Sequence, residues 1–149
     1  MRRFGESVKK EIKYKIRIGI YGVISIGKKI LLTEQDGDEI QLPGGGIDQG
    51  EQKNHALVRE VREETGWKIN PIRLVGTYQR FVFMPEYDLW AQKICHVYYC
   101  RGIYPLSKPL EKGHVPILVP PEFAIKLLRN QGDKTFLDHC MRFYSNRFQ

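Results

Sequence analysis

The chain has only three cysteines in 149 residues, and Cys95, Cys100 and Cys140 form neither a CxxC pair nor an even framework. That excludes a disulfide scaffold and a thiolate zinc finger, and suits structural thiols in a reducing compartment. The four histidines (His55, His96, His114 and His139) show no ligand spacing of the HExxH kind. His55 stands five residues before Glu60, and it is not read as a ligand. Long apolar runs are missing too. Ile18 to Ile26 is too short to span a bilayer, which takes about 20 residues. It is also β-branched and interrupted by glycine, so it reads as a strand. Met1 to Arg17 is basic but has no apolar centre, and Glu6 and Glu11 count against a mitochondrial presequence. The expected location is cytoplasmic, with no membrane partner. Repeats and low-complexity tracts are absent as well.

What is present describes one ordinary globular domain. The hydrophobic content of 42% and charged content of 28% are typical of soluble chains. A chain of this length buries roughly two thirds of its unfolded surface. The net charge of +7 raises the question of nucleic acid. Residues 1–17 carry seven Lys or Arg against two acids, a net of +5, so most of the excess lies at one end. Residues 1–13 are read as a basic arm and residues 14–149 as the domain. A basic arm can steer polyanions, but an edge segment kept soluble by lysine explains it without nucleic acid.

Along the chain, Tyr14–Ile26 and Ile30–Glu34 read as strands joined at Gly27-Lys28-Lys29. Asp36-Gly37-Asp38 is a turn, and Ile40–Leu42 leads into a glycine run. Asn54–Thr65 has helical periodicity, with Asn54 the expected cap. Ile72–Met84 and Leu89–Ile103 read as long strands around Pro85-Glu86-Tyr87-Asp88, and Ile117–Val119 as a short one. Pro121–Arg129 and Asp133–Phe148 are expected helices. Strands with helices early and late predict an α/β chain, with a mixed β-sheet between helical layers.

The informative stretch is Gly45 to Trp67, GGIDQGEQKNHALVREVREETGW. Residues three and four apart on a helix are neighbours, so Glu60, Glu63 and Glu64 share one side. Gly66 is placed to end that helix, which puts the acids where the helix dipole favours cations. Two unit charges about 4 Å apart interact by about 4 kcal/mol at an effective dielectric near 20. Three carboxylates at one site therefore need a counter-charge or a proton. Mg²⁺ or Mn²⁺, bound by oxygen, supplies that charge. Arg59 can reach Glu63 one turn on and orient it. The bland alternative, a solvated helix face, is weakened by the preceding Leu42-Pro43-Gly44-Gly45-Gly46. There, glycines let the backbone approach a ligand, offering carbonyls to a metal and amides to a phosphate.

These residues resemble the Nudix box. Gly45, Glu51, Arg59, Glu60, Val61, Glu63, Glu64, Gly66 and Trp67 fill its nine fixed positions over 23 residues. The resemblance, to the MutT-like Nudix hydrolases, implies an α/β/α sandwich. It also implies hydrolysis of a nucleoside diphosphate linked to another moiety, with Mg²⁺ or Mn²⁺. Glu60, Glu63 and Glu64 would bind the metal, with the carbonyl of Gly44 or Gly45 in its shell. Arg59 would hold a glutamate, and Glu51 would be an auxiliary acid. Such proteins are often dimers, so a homodimer is an expectation here. Two departures lie off the acids: Ile40 stands where many members carry an aromatic, and Gln52 where Ser or Thr often caps the helix. A further acid often lies outside the box. Glu111, Glu86 and Asp88 are candidates, each as readily a solvated loop acid.

The substrate is less legible. Tyr78, Phe81, Phe83, Tyr87 and Trp90 could offer a base a stacking surface. Phe81 and Phe83 share a face by alternation, and such a face is more often core. Arg80 and Gln79 could meet a phosphate or a base edge. An oxidised nucleoside triphosphate, ADP-ribose or another nucleotide sugar, and a dinucleoside polyphosphate remain open. The reading from another class is a non-catalytic module binding RNA or a nucleotide, which loss of a box acid would favour.

Overall fold

A computed structural model of the chain describes residues 1–144. Its strands are β1 (Arg2–Phe4), β2 (Lys15–Ile26), β3 (Lys29–Gln35), β4 (Glu39–Gln41), β5 (Gly44–Gly46), β6 (Trp67–Met84), β7 (Leu89–Pro105) and β8 (His114–Val119). Its helices are α1 (Lys53–Thr65), α2 (Pro121–Leu127) and α3 (Gln131–Phe143). The strands make one sheet in the order β1-β6-β7-β2-β3-β4, with β5 on β2 and β8 on β3. β2 runs parallel to β7 and antiparallel to β3, so the sheet is mixed, as expected.

Alternation along the central strands builds two cores. Ile20, Ile24, Leu31, Ile69 and Cys100 pack on one face against Ala56, Leu57 and Val61 of α1. Val23, Leu32, Tyr78, Val97 and Tyr99 pack on the other against Ala124, Leu137 and Cys140 of α2 and α3. The result is the layered α/β/α sandwich. Burying each Leu, Ile or Val contributes about 1.5–3 kcal/mol, and losing Ile20, Ile24, Leu31 or Ile69 would weaken the layer that positions α1. The three cysteines are free and buried. Among the described residues no helix is long and apolar enough to cross a membrane.

Several boundaries differ from the sequence reading. The β2–β3 hairpin loop has two residues, not three: Lys29 pairs with Ile26, and Gly27 takes the positive φ such a tight turn needs. β6 begins at Trp67 rather than Ile72, because register shifts around Pro71 let the strand absorb a residue that cannot donate to the ladder. α1 is capped at Gln52, whose side chain makes no capping bond, and Asn54 lies inside the helix. α2 ends at Leu127 and α3 begins at Gln131, where Asn130 accepts from the Gly132 amide. The expected extension of the last helix to Phe148 lies outside the described residues. Residues 2–4 of the basic arm are the parallel edge strand β1 on β6. Phe83 is exposed and Phe81 only half-buried, so that face is not core; Tyr14 packs edge-on against Phe81 instead.

Candidate functional site

The site forms where α1 ends. Gly66 closes the helix with φ 78° and its amide on the Arg62 carbonyl at 2.8 Å, a left-handed stop that favours glycine. Its position is fixed further by the Ser107 carbonyl, which a Cβ at Gly66 would strike. The last carbonyls of a helix have no partner within it. Here the β7–β8 loop supplies them: the Leu110 and Glu111 amides both donate to Glu63 at 2.9 Å, and the Leu106 amide to Gly66 at 2.8 Å. The loop is thereby fastened over the acidic turn.

Four acids and one imidazole meet there. Glu60, Glu63 and Glu111 bring oxygens within 4.8 Å of one another, and Glu64, Glu111 and His114 do the same, so Glu111 belongs to both groups. Glu64 is 5% exposed, and its Oε1 accepts the Gly44 amide at 2.9 Å. Burial pushes its pKa up to about 8, against the pull of that amide, and the Glu60, Glu111 and Glu63 charges push the same way. Burial also raises Glu60, while Arg59 opposes it. A Cβ at Gly45 would come 2.6 Å from the Glu60 carboxylate, so glycine there leaves that carboxylate its place.

Arg59 organises the other side. Its Nε and Nη2 grip Glu51 at 2.8 and 2.9 Å, a bidentate pair, while Nη1 donates to Glu60 at 3.1 Å and Glu63 at 3.3 Å. Nη2 also donates to the Gly46 carbonyl at 3.1 Å, tying helix to glycine loop. The Arg59 hydrogen bonds hold Glu51 down to about 2, helped by the Asp48 amide. Glu51 thus serves the arginine and stands outside both acid groups.

Of the residues singled out in the sequence, Arg59, Glu60, Glu63, Glu64 and Gly44–Gly46 come together. Arg80 lies on β6, and among the described residues no ion pair links it to these acids. Of the three loop acids Glu111 joins the cluster, whereas Glu86 and Asp88 sit exposed around the β6–β7 turn. His55 is exposed in the first turns of α1 and belongs to neither group. His114 was missed. It is 8% exposed at the start of β8, with Nδ1 3.0 Å from the Thr33 hydroxyl and 3.9 Å from Glu64 Oε2. The available signal was Glu111-Lys112-Gly113-His114, an acid and an imidazole three residues apart.

An oxygen-rich group of this kind suits a hard divalent cation. The family model of the NUDIX domain matches residues 13–140. This chain belongs to the NUDIX family. A relative in Bacillus subtilis (strain 168), provisionally named an 8-oxo-dGTP diphosphatase, is 38% identical over 73 residues, covering 48% of this chain and 49% of the relative. An ADP-ribose pyrophosphatase of Methanocaldococcus jannaschii is 32% identical over 90 residues, 50% of this chain and 53% of the relative. The chain thus spans about half the length of these curated relatives. Among solved structures, the MutT protein of Methanosarcina mazei Go1 superposes with a TM-score of 0.70 at 20% identity, covering 90% of this chain and 99% of that one. At that identity the likeness concerns the NUDIX fold.

Proposed function

We propose that this NUDIX chain hydrolyses the pyrophosphate bond of a nucleoside diphosphate linked to another moiety, with Mg²⁺ or Mn²⁺ as cofactor. The observation that carries the reading is the convergence of Glu60, Glu63, Glu64 and Glu111 beside the glycine run. Glu60, Glu63 and Glu64 would hold the cation, with a carbonyl of Gly44 or Gly45 and with Glu111. A divalent cation there would neutralise phosphate oxygens and make a water more acidic. The chain's own residues do the rest. Arg59, braced by Glu51, orients Glu60 and Glu63. The Gly44 amide fixes Glu64, and Glu111, the half-exposed acid, accepts the proton of the attacking water. Gly44, Gly45 and Gly46, lacking side chains, would let a phosphate come close to the acidic turn.

The names of its relatives point to 8-oxo-dGTP and ADP-ribose as first substrates to try, with dinucleoside polyphosphates as a third group. Residues 14–149 are read as the catalytic domain, residues 1–13 as an arm, and the protein as cytoplasmic and able to form a homodimer. A non-catalytic RNA- or nucleotide-binding module is the competing reading, and it is disfavoured because every acid of the box is present. A nucleotide panel assayed with and without Mg²⁺, for wild type and Glu64→Gln, tests the proposal. Metal-dependent hydrolysis lost in Glu64→Gln is expected. No cleavage at any pH, together with tight and salt-sensitive RNA binding, would overturn it.

A further inference from the structure

Arg80 and Lys93 stand directly opposite one another across the antiparallel β6–β7 ladder. Alternation from the buried Tyr78 and Cys95 puts both on the α2/α3 side of the sheet. Like charges in this arrangement repel, and neither residue joins an ion pair among the described residues. Arg80 Nε, moreover, is a buried donor with no hydrogen-bond partner. It is enclosed by the arm, since a Cβ at Gly5 would lie 3.4 Å from it. Buried donors are nearly always paired, so an orphan calls for a reason. The carboxylate on this side, Asp133, accepts the Leu42 amide and the Tyr78 hydroxyl, each at 3.1 Å, and the charges of Arg80 and Lys93 both reach it without forming an ion pair. The fold therefore sets two cations near one carboxylate that already accepts two hydrogen bonds, leaving an excess of positive charge and one unpaired donor.

We propose that Arg80 and Lys93 form an anion site that takes a phosphate monoester carried by the substrate, apart from the pyrophosphate that is cut. The guanidinium offers a planar fork and the ammonium a compact charge, which together suit a dianion. The site is connected to the acidic turn through Tyr21. The Lys93 ammonium lies 5.7 Å from that ring's centroid, and Tyr21 pairs in the ladder with Gly44, whose amide holds Glu64. The identity of the ligand as substrate rests on the hydrolase reading; the anion site itself does not. A pair kept for folding would lose stability when one cation is removed, whereas a site held ready for an anion would gain it.

The Arg80 Nε–H resonance reports the site directly. The full chain, without metal, is titrated with inorganic phosphate, a nucleoside 5′-monophosphate and a nucleoside 3′,5′-bisphosphate. Inorganic phosphate and the bisphosphate are expected to shift that resonance in a salt-sensitive way, and the signal is absent from Arg80→Gln. The bisphosphate should bind about tenfold more tightly than the monophosphate in wild type, with the advantage gone in Lys93→Met. Lys93→Met should melt at the same or a higher temperature. An unmoved resonance, a bisphosphate with no advantage over the monophosphate, or a Lys93→Met that melts lower with the affinity ratio intact, each overturns the proposal. Hydrolysis by the same preparation separates the two ideas. Activity with an unmoved resonance sinks only the anion site, and a moved resonance without activity sinks only the hydrolase reading.

Discussion

The backbone amide of Glu111 donates to the carbonyl of Glu63 at 2.9 Å, so an acid 48 residues further along the chain is fastened to the helix turn that carries the box glutamates. That bond, with its twin from Leu110, turns a solvated loop residue into part of the site.

Glu111→Gln should therefore impair catalysis without unfolding the protein. The backbone bonds that anchor the loop survive the change, and the side chain is half-exposed. A loss of about 10²–10⁴-fold in kcat is expected for a proton acceptor, with Tm nearly unchanged. Steady-state kinetics beside a thermal melt decide it; undiminished activity returns Glu111 to the status of a surface acid.

Arg59→Lys should cost more than a conservative exchange usually does. Lysine keeps the charge but cannot grip Glu51 with two nitrogens while also reaching Glu60, Glu63 and the Gly46 carbonyl. Loss of such an orienting partner lowers activity or metal affinity by roughly 10–100-fold. Titration of activity against Mg²⁺ would detect it, and a curve identical to wild type refutes the orienting role.

Gly66→Ala should destabilise the fold by more than about 1 kcal/mol. It forces an L side chain into positive φ and against the Ser107 carbonyl. Urea unfolding measures the loss, and a midpoint at or above that of wild type contradicts the account of the helix stop.

Asp133 predicts a pH dependence of stability. Burial raises its pKa from an ordinary 3.8 to about 6, against the Leu42 and Tyr78 hydrogen bonds. The folded state thus binds the proton more tightly than the unfolded one. Its contribution is fully present below pH 3.8 and is lost as pH rises through about 6. About two pKa units correspond to about 3 kcal/mol. Asp133→Asn cannot ionise, and its amide group meets two donors, so it should be the less stable protein near pH 4. The gap should close towards pH 8. Chemical denaturation across that range tests this, and a constant gap rules it out.

The box was readable because it is local. Glu60, Glu63 and Glu64 meet through helical periodicity alone, and Arg59 reaches Glu63 within one turn, so spacing carries the information. The mixed sheet between helices was legible for the same reason, from period-two strands and from a glycine able to stop a helix. The misreadings lie where local signals compete. Asn54 is the better cap by type, yet the helix starts one residue before it. Strand β6 runs through Pro71 because bulges accommodate it.

What the amino-acid order determined by itself was the acidic turn and the glycine run before it, set by near neighbours, and the layered α/β/α class, set by the order and periodicity of its strands and helices. Only the tertiary structure decided which distant groups join them. It drew in Glu111 over Glu86 and Asp88, placed His114 beside Glu64, and set a half-buried Arg80 opposite Lys93. Those choices depend on strand pairing and on loop amides satisfying helix carbonyls, and residue spacing carries no record of either.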